Sequence, residues 1–357
     1  MRKFTLLMAA AVAAMASLGW SAARAQQSDE ALKATFERVA KLAQEAVDTT
    51  RFKKKPPYHI GVSAGYLSNS WILFLNQYVK YEASLHPEFA DVVVTDAAFN
   101  PAKQASDVED LLSKGIDVLL FWPVDEKAMM PALEKVAAKG IPTVNIGYNF
   151  IDSPAVTSNA YVDQWKQSTQ VATHLAESLK DKGTIFAMLP IAGSSAAVTQ
   201  LAALNDVVKS HPDIKLASVQ FGDWNRAKAK QLTENMLQRF PHIDGVFSPA
   251  GQMSAGVLEA FDEAGRMGEV TMSPGDEYNG WVKWIAKTDK WGSVTSGLAV
   301  GRAAVLQALA ILQGEKVTRA RVVTTEYLTP KDAAKLYDPK RPDDWWPNSL
   351  PEKFLPK

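Results

Sequence analysis

The sequence predicts an α/β fold built as two similar lobes, each a doubly wound parallel sheet. Two observations carry that expectation. Short apolar, β-suitable runs alternate with helical patterns of about 10 to 15 residues, the signature of parallel β-α-β units. Two distant stretches also resemble each other: LLSKGIDVLLFWP (111–123) and MLQRFPHIDGVFSP (236–249). Each runs into a helix carrying a Leu-Glu pair (Leu133-Glu134, Leu258-Glu259) and then a glycine stop.

The chain has 357 residues, 39 basic and 39 acidic side chains, and no cysteine. That length suits two domains, each able to bury a core. Residues 1–25 read as a cleaved signal peptide: Arg2 and Lys3, an apolar run from Leu6 to Leu18, then Ala23-Arg24-Ala25 as the cleavage signal. Its removal takes away only basic charge, leaving a slightly acidic chain, a poor partner for nucleic acid. No later run has the length of a membrane span. Without cysteine there is no disulfide framework and no lipid anchor. The expected location is the periplasm.

The Ser28 to Asp48 pattern is helical, with Leu32, Phe36, Val39, Leu42, Ala43 and Ala46 on one face. With the basic linker Thr49–Pro57 it makes an N-terminal extension, 26–57. The organising unit follows. His59–Ser63 reads as a buried strand, 65–70 as a polar turn, and Ile72, Leu75, Val79 and Ala83 as a helical stripe capped by Asn69 or Ser70. Ligands of open α/β sheets sit beyond the carboxyl ends of the strands, so Tyr66, Asn69 and Trp71 are candidate contacts. Further strands are read at Asp91–Thr95 (as a buried one), Asp117–Trp122 and Ile141–Ile146. Asn100-Pro101 marks a helix start between the first two of these. In the second half strands fall at Gly183–Leu189, Lys215–Phe221, Asp244–Ser248 and Glu269–Ser273. Trp291–Ser296 and Arg321–Tyr327 are read as strands flanking a helix over Val300–Leu312, and 338–357 as an extended Trp/Pro-rich tail packed on a lobe.

No Walker loop, dinucleotide fingerprint, nucleophile elbow or H-E-x-x-H is present. The five histidines are scattered singly, which suits surface positions better than metal ligation. Gly193-Ser194-Ser195 reads as a ligand-facing or helix-capping turn rather than a nucleophile. Trp165, Trp281, Trp284 and Trp291 lie on helix or strand faces and read as packing. The chain reads as a binder without chemistry: no catalytic residue, metal or cofactor is expected.

Several stretches resemble the ribose-binding-protein family of type I periplasmic solute-binding proteins, which serve sugar ABC transporters. They are GVSAGYLSNSWI, NPAKQASDVEDLLSKGIDVLLFWPVD, IAGSSAA, FGDWNRAKA, DGVFSPAGQMSAGVLEAFDEAG and WGSVTSGLAVGRAAV, within Tyr58 to about Tyr327. The resemblance implies two lobes joined by three crossover strands, closing over a solute that is handed to a membrane permease. On that pattern lobe 1 is 58–160 plus 298–324, and lobe 2 is 161–297 plus 325–337. A monomer is the family expectation.

The resemblance also implies site residues, with departures. Asn69 keeps the family's asparagine, and Trp71 stands where an aromatic would be. Trp122 occupies a strand end where sugar binders often carry Asn, and Gly147-Tyr148 an Asp-Arg position. Gln200 replaces a ligand-reading Arg, Trp224 keeps a crevice aromatic, and Ala250-Gly251 replace Asn-Asp, with Gln252 just beyond. With a slip of one residue, Asp276 matches the Asp of a G-F-D-G turn, and Gly297 falls where Gln is usual. Fewer charged grips and more flat faces imply a small neutral solute, flatter or less hydroxylated than ribose: a sugar, polyol, or deoxy or modified sugar. Some relatives with an added N-terminal helix present their ligand state to a sensor kinase ectodomain, which makes signalling the alternative to transport.

Overall fold

The computed structural model describes residues 29–356; the expected signal peptide lies outside the described residues. A helix over 29–42, α1, comes first among the described residues. It stops before Asp48 because Ala46–Val47 (β1) pairs with a strand far along the chain. Lobe 1 begins with β2 (Tyr58–Ala64), α2 (Ser70–Ser84), β3 (Phe89–Asp96), α3 (Pro101–Ser113), β4 (Val118–Trp122) and α4 (Glu126–Ala138). β5 (Thr143–Gly147) and β6 (Ser158–Val162) follow. Lobe 2 holds α5 (Gln164–Ser178), β7 (Lys182–Leu189), α6 (Ser195–Ser210), β8 (Asp213–Phe221), α7 (Arg226–Arg239) and β9 (Gly245–Phe247). It continues through α8 (Gly251–Glu263), β10 (Thr271–Met272), β11 (Gly275–Asp276), α9 (Asn279–Thr288) and β12 (Ser293–Val294). The chain then runs α10 (Val300–Gln313), β13 (Val317–Thr318), β14 (Ala320–Val323), β15 (Tyr327–Leu328) and α11 (Pro330–Ala334).

Local chemistry sets the helix starts. Asn69 accepts a hydrogen bond from the Ile72 N–H at 3.0 Å, and Asn100 from Ala102 and Lys103, with Pro101 leading α3. These side chains satisfy amides that a helix start leaves unpaired.

A six-stranded sheet in the order β14-β6-β5-β4-β2-β3 forms lobe 1, and every pairing in it is parallel. Lobe 2 carries the parallel order β10-β9-β7-β8, with a small β11-β12-β15 sheet at its rim. The chain passes between lobes after β6, between β12 and α10, and between β14 and β15. Two expectations change. Arg321–Tyr327 is not one strand: β14 closes the lobe 1 sheet while β15 pairs with β12 in lobe 2. The DVVVT strand is not buried, because β3 is an edge strand whose valines stay partly exposed.

The terminal segments each touch both lobes. On α1, Val39 and Ala43 pack with Tyr161 and Ala320 of lobe 1. Phe36 stacks on Trp165 at 5.6 Å, and Lys33 pairs with Asp206 of α6 at 2.8 Å. That half-exposed pair contributes about 1 kcal/mol at most, so the apolar contacts carry the docking. Trp281 is fully buried and stacks on Trp291 at 5.9 Å.

Within lobe 2, α7 and α8 approach closely at Gly256, where a Cβ would collide with the Arg226 carbonyl oxygen. Gly256→Ala is expected to cost about 1 to 3 kcal/mol through overpacking. Urea unfolding should show a lower midpoint with the slope unchanged.

Candidate ligand-binding site

A cavity of about 380 Å³ lies between the lobes, at the carboxyl ends of their strands. The nine side chains read from the sequence as ligand contacts line it: Tyr66, Asn69, Trp71, Trp122 and Tyr148 from lobe 1, and Gln200, Trp224, Gln252 and Asp276 from lobe 2. The strand-then-turn order explains the convergence, since each of Tyr66, Trp122, Tyr148 and Trp224 follows or ends a parallel strand.

On the lobe 1 side the aromatics are fixed by their own contacts. Trp71 and Tyr148 meet at 5.6 Å, and both donate to the Ser296 carbonyl, the indole N–H at 3.2 Å and the phenol at 2.8 Å. Ser296 lies on the passage between β12 and α10, so two lobe 1 walls are tied to an interlobe segment. Tyr66 stacks on Phe99 at 4.3 Å. Across the cavity, Asp223 and Trp224 both have φ of +54°, a left-handed bend that is uncommon for residues with a side chain and clusters at functional sites. Asn149 of lobe 1 donates to Ser195 Oγ of α6 at 3.2 Å, one direct bond across the cleft.

The electrostatics are one-sided. Among the described residues, the lining contains no Lys, Arg or His, and Asp276 supplies its one carboxyl group. Burial pushes Asp276 up to about 7, although the Gly251 N–H at the start of α8, 2.5 Å from its Oδ1, favours the charged form. Behind it Glu277 is pushed up to about 8, first by burial and then by the Asp276 charge, while accepting from Ser296 Oγ at 2.9 Å. Burial, followed by these two carboxylates, also raises the Tyr148 phenol well above its ordinary value. The result is a cleft in which burial favours the protonated form of both carboxyl groups. Gly251 suits its place here, because a Cβ would collide with the Asp276 carbonyl oxygen.

Two buried polar atoms on the wall, the Trp122 indole nitrogen and the Gln200 Oε1, have no partner among the described residues. An unpaired buried group costs about 1–3 kcal/mol. A hydroxyl can both accept and donate, so it suits both atoms. Sequence reasoning missed Phe99, Asn149, Gln164, Gln167 and Trp346, which also line the cavity. Trp122 at the end of β4 pointed to this neighbourhood, but the residues that reach it from α5 and from the far end of the chain had no local signal.

The periplasmic binding protein domain family matches residues 60–316. The chain belongs to that family. It is 29% identical over 212 residues to a ribose import binding protein of Bacillus subtilis (strain 168), covering 59% of this chain and 68% of that one. It is 28% identical over 179 residues to a xylitol-binding protein of Mycolicibacterium smegmatis, covering 50% of this chain and 51% of that one. Among solved structures, it matches an ABC transporter solute binding protein from Bacillus halodurans C-125 with bound myo-inositol. That match has a TM-score of 0.71 and 21% identity, covering 79% of this chain and 98% of that one, a likeness of fold. The chain is thus a type I periplasmic binding protein, a solute binder and not an enzyme. In this periplasmic binding protein, α1 precedes the matched range and the tail from 338 follows it.

Proposed function

We propose that this periplasmic binding protein captures a small neutral solute, a sugar, polyol, or deoxy or modified sugar, and delivers it to the permease of an ABC importer. Tyr66, Asn69, Trp71, Trp122, Tyr148, Gln200, Trp224, Gln252 and Asp276 serve as its ligand contacts. The observation that carries the reading is the cavity wall itself: aromatic faces with amides and hydroxyls between them, and no basic side chain. Aromatic rings suit the apolar faces of a sugar or cyclitol ring, and the few polar groups fix its orientation. The relatives bind ribose and xylitol by name, which supports a polyhydroxylated ligand. The proposed lobes are 58–160 plus 298–324 and 161–297 plus 325–337. Ligand contacts to both lobes select the closed form, which the permease recognises. On this reading a leader over 1–25 directs export, and the exchange takes place in the periplasm.

A thermal-shift panel of pentoses, hexoses, polyols, deoxy sugars, inositols, nucleosides and small aromatic acids tests the reading. A ligand at about a thousand times its Kd adds roughly 4 kcal/mol to the folded state. The expected result is a polyol, cyclitol or deoxy-sugar hit with a smaller response to ribose. A panel in which only nucleosides or aromatic acids respond would contradict it. Copurification with a permease, rather than with a sensor kinase ectodomain, is the expected outcome for transport.

A further inference from the structure

The matched family range ends at 316, yet the last stretch of the chain reaches the cavity. Trp346 lines it and is 1% exposed. Its indole N–H donates to Ser70 Oγ of α2, in lobe 1, at 2.9 Å. Its ring stands edge-on to Tyr278, at the start of α9 in lobe 2, at 5.6 Å.

The residues on either side hold different lobes. Toward lobe 2, Asn279 donates its side-chain amide to the carbonyls of Asp338, Arg341 and Pro342, and its backbone N–H to Trp345 at 2.9 Å. Asp343 pairs with Arg226 at 2.7 Å and accepts from Lys283 at 3.4 Å. Burial lowers the charged Arg226, but its pairing with Glu259 and Asp343 outweighs this and holds it protonated. Toward lobe 1, Trp345 meets Phe74 edge-on at 4.9 Å. The Ser349 N–H donates to the Tyr78 hydroxyl at 3.3 Å, and Phe354 meets Tyr81 at 5.2 Å. The tail is therefore packed on both lobes, not on one as the sequence suggests.

From this juxtaposition we propose that residues 338–356 form an interlobe latch, and that its Trp346 is a specificity-determining wall of the ligand site. Separating the lobes breaks either the Tyr278 contact or the Ser70 bond of one indole. Lobe opening, and with it ligand release, is then coupled to the tail. A ring placed by this segment also narrows the range of ligand shapes, since a bulky indole fixes one face of the cavity.

The inference rests on the proposed solute-binding role, so its test has one arm that needs no ligand. Small-angle scattering of the ligand-free Trp346→Ala and Ser70→Ala variants should show a larger radius of gyration than the wild type. With the best neutral hit of the panel, Trp346→Ala should weaken affinity at least tenfold. Trp346→Phe should fall between, and Ser70→Ala should raise the dissociation rate severalfold while the association rate changes less. An unchanged radius in both variants, with affinity within twofold of wild type, overturns the latch. Should Trp346→Ala fail to fold, Trp346→Phe and Ser70→Ala decide it by the same readings. If the wild type binds nothing on the panel, the solute reading fails and scattering alone decides the latch.

Discussion

Trp224→Ala is expected to weaken binding of the panel's best neutral ligand by about 10- to 100-fold, measured by titration calorimetry. The removed indole is half-buried on a loop after β8, facing the aromatic walls of lobe 1 across the cavity. Losing the burial of a side chain of this size forfeits about 1.5–3 kcal/mol, which corresponds to that range of affinity. The change should sit mainly in the dissociation rate. Because the side chain is not part of the fully buried core, the unfolding midpoint of the ligand-free protein should move little. An affinity within threefold of wild type would place the ligand away from this wall.

The second large effect concerns pH. Asp276 and Glu277, raised by burial to about 7 and about 8 from ordinary values of 3.8 and 4.5, hold more protons in the folded chain than in the unfolded one. Their contribution to stability is therefore complete below about pH 4 and is lost as pH rises through 7 and 8. Each group changes stability by about 1.4 kcal/mol per pH unit within its window. The groups facing them are Tyr148, whose phenol stays neutral there, and Ser296; the cavity lining supplies no cation to hold either carboxylate. Urea unfolding at pH 5, 6.5 and 8 should show the wild type losing stability relative to Glu277→Gln, by a few kcal/mol across the range. Parallel curves for the two proteins would mean that Glu277 is ionised throughout.

Much of the site was legible in the sequence because parallel-sheet chemistry is local. A strand, a polar turn and a capping residue put Tyr66, Asn69 and Trp71 beside the sheet end, and the Asn69 cap forms as its position suggests. Trp122 follows from the DVLLFW run for the same reason. The rest depends on partners distant in sequence. β6 is hidden because Ser158 and Asn159 are polar, and only the fold shows why: Ser158 Oγ donates to the Thr318 carbonyl, and the Asn159 side chain accepts from the Ile151 N–H. The break between β14 and β15 has no local mark, because Arg321 to Tyr327 is β-suitable throughout and only its pairing differs. Phe99 reaches the cavity through a left-handed backbone, φ +63°, that its residue type does not announce. Trp346 arrives from a tail whose target is fixed only by the two lobes together.

The proposed ligand of the cleft is a neutral polyhydroxylated solute. The most direct test is calorimetric titration of three matched compounds at pH 6.5: the best neutral ligand, its acidic derivative and its amino derivative. The neutral compound is expected to bind one-to-one, with each charged derivative at least tenfold weaker. The acid would find no cation in the wall, and the amine would meet a largely protonated Asp276. Tighter binding of the amine would contradict it and make an ionised Asp276 the anchor of a cationic ligand.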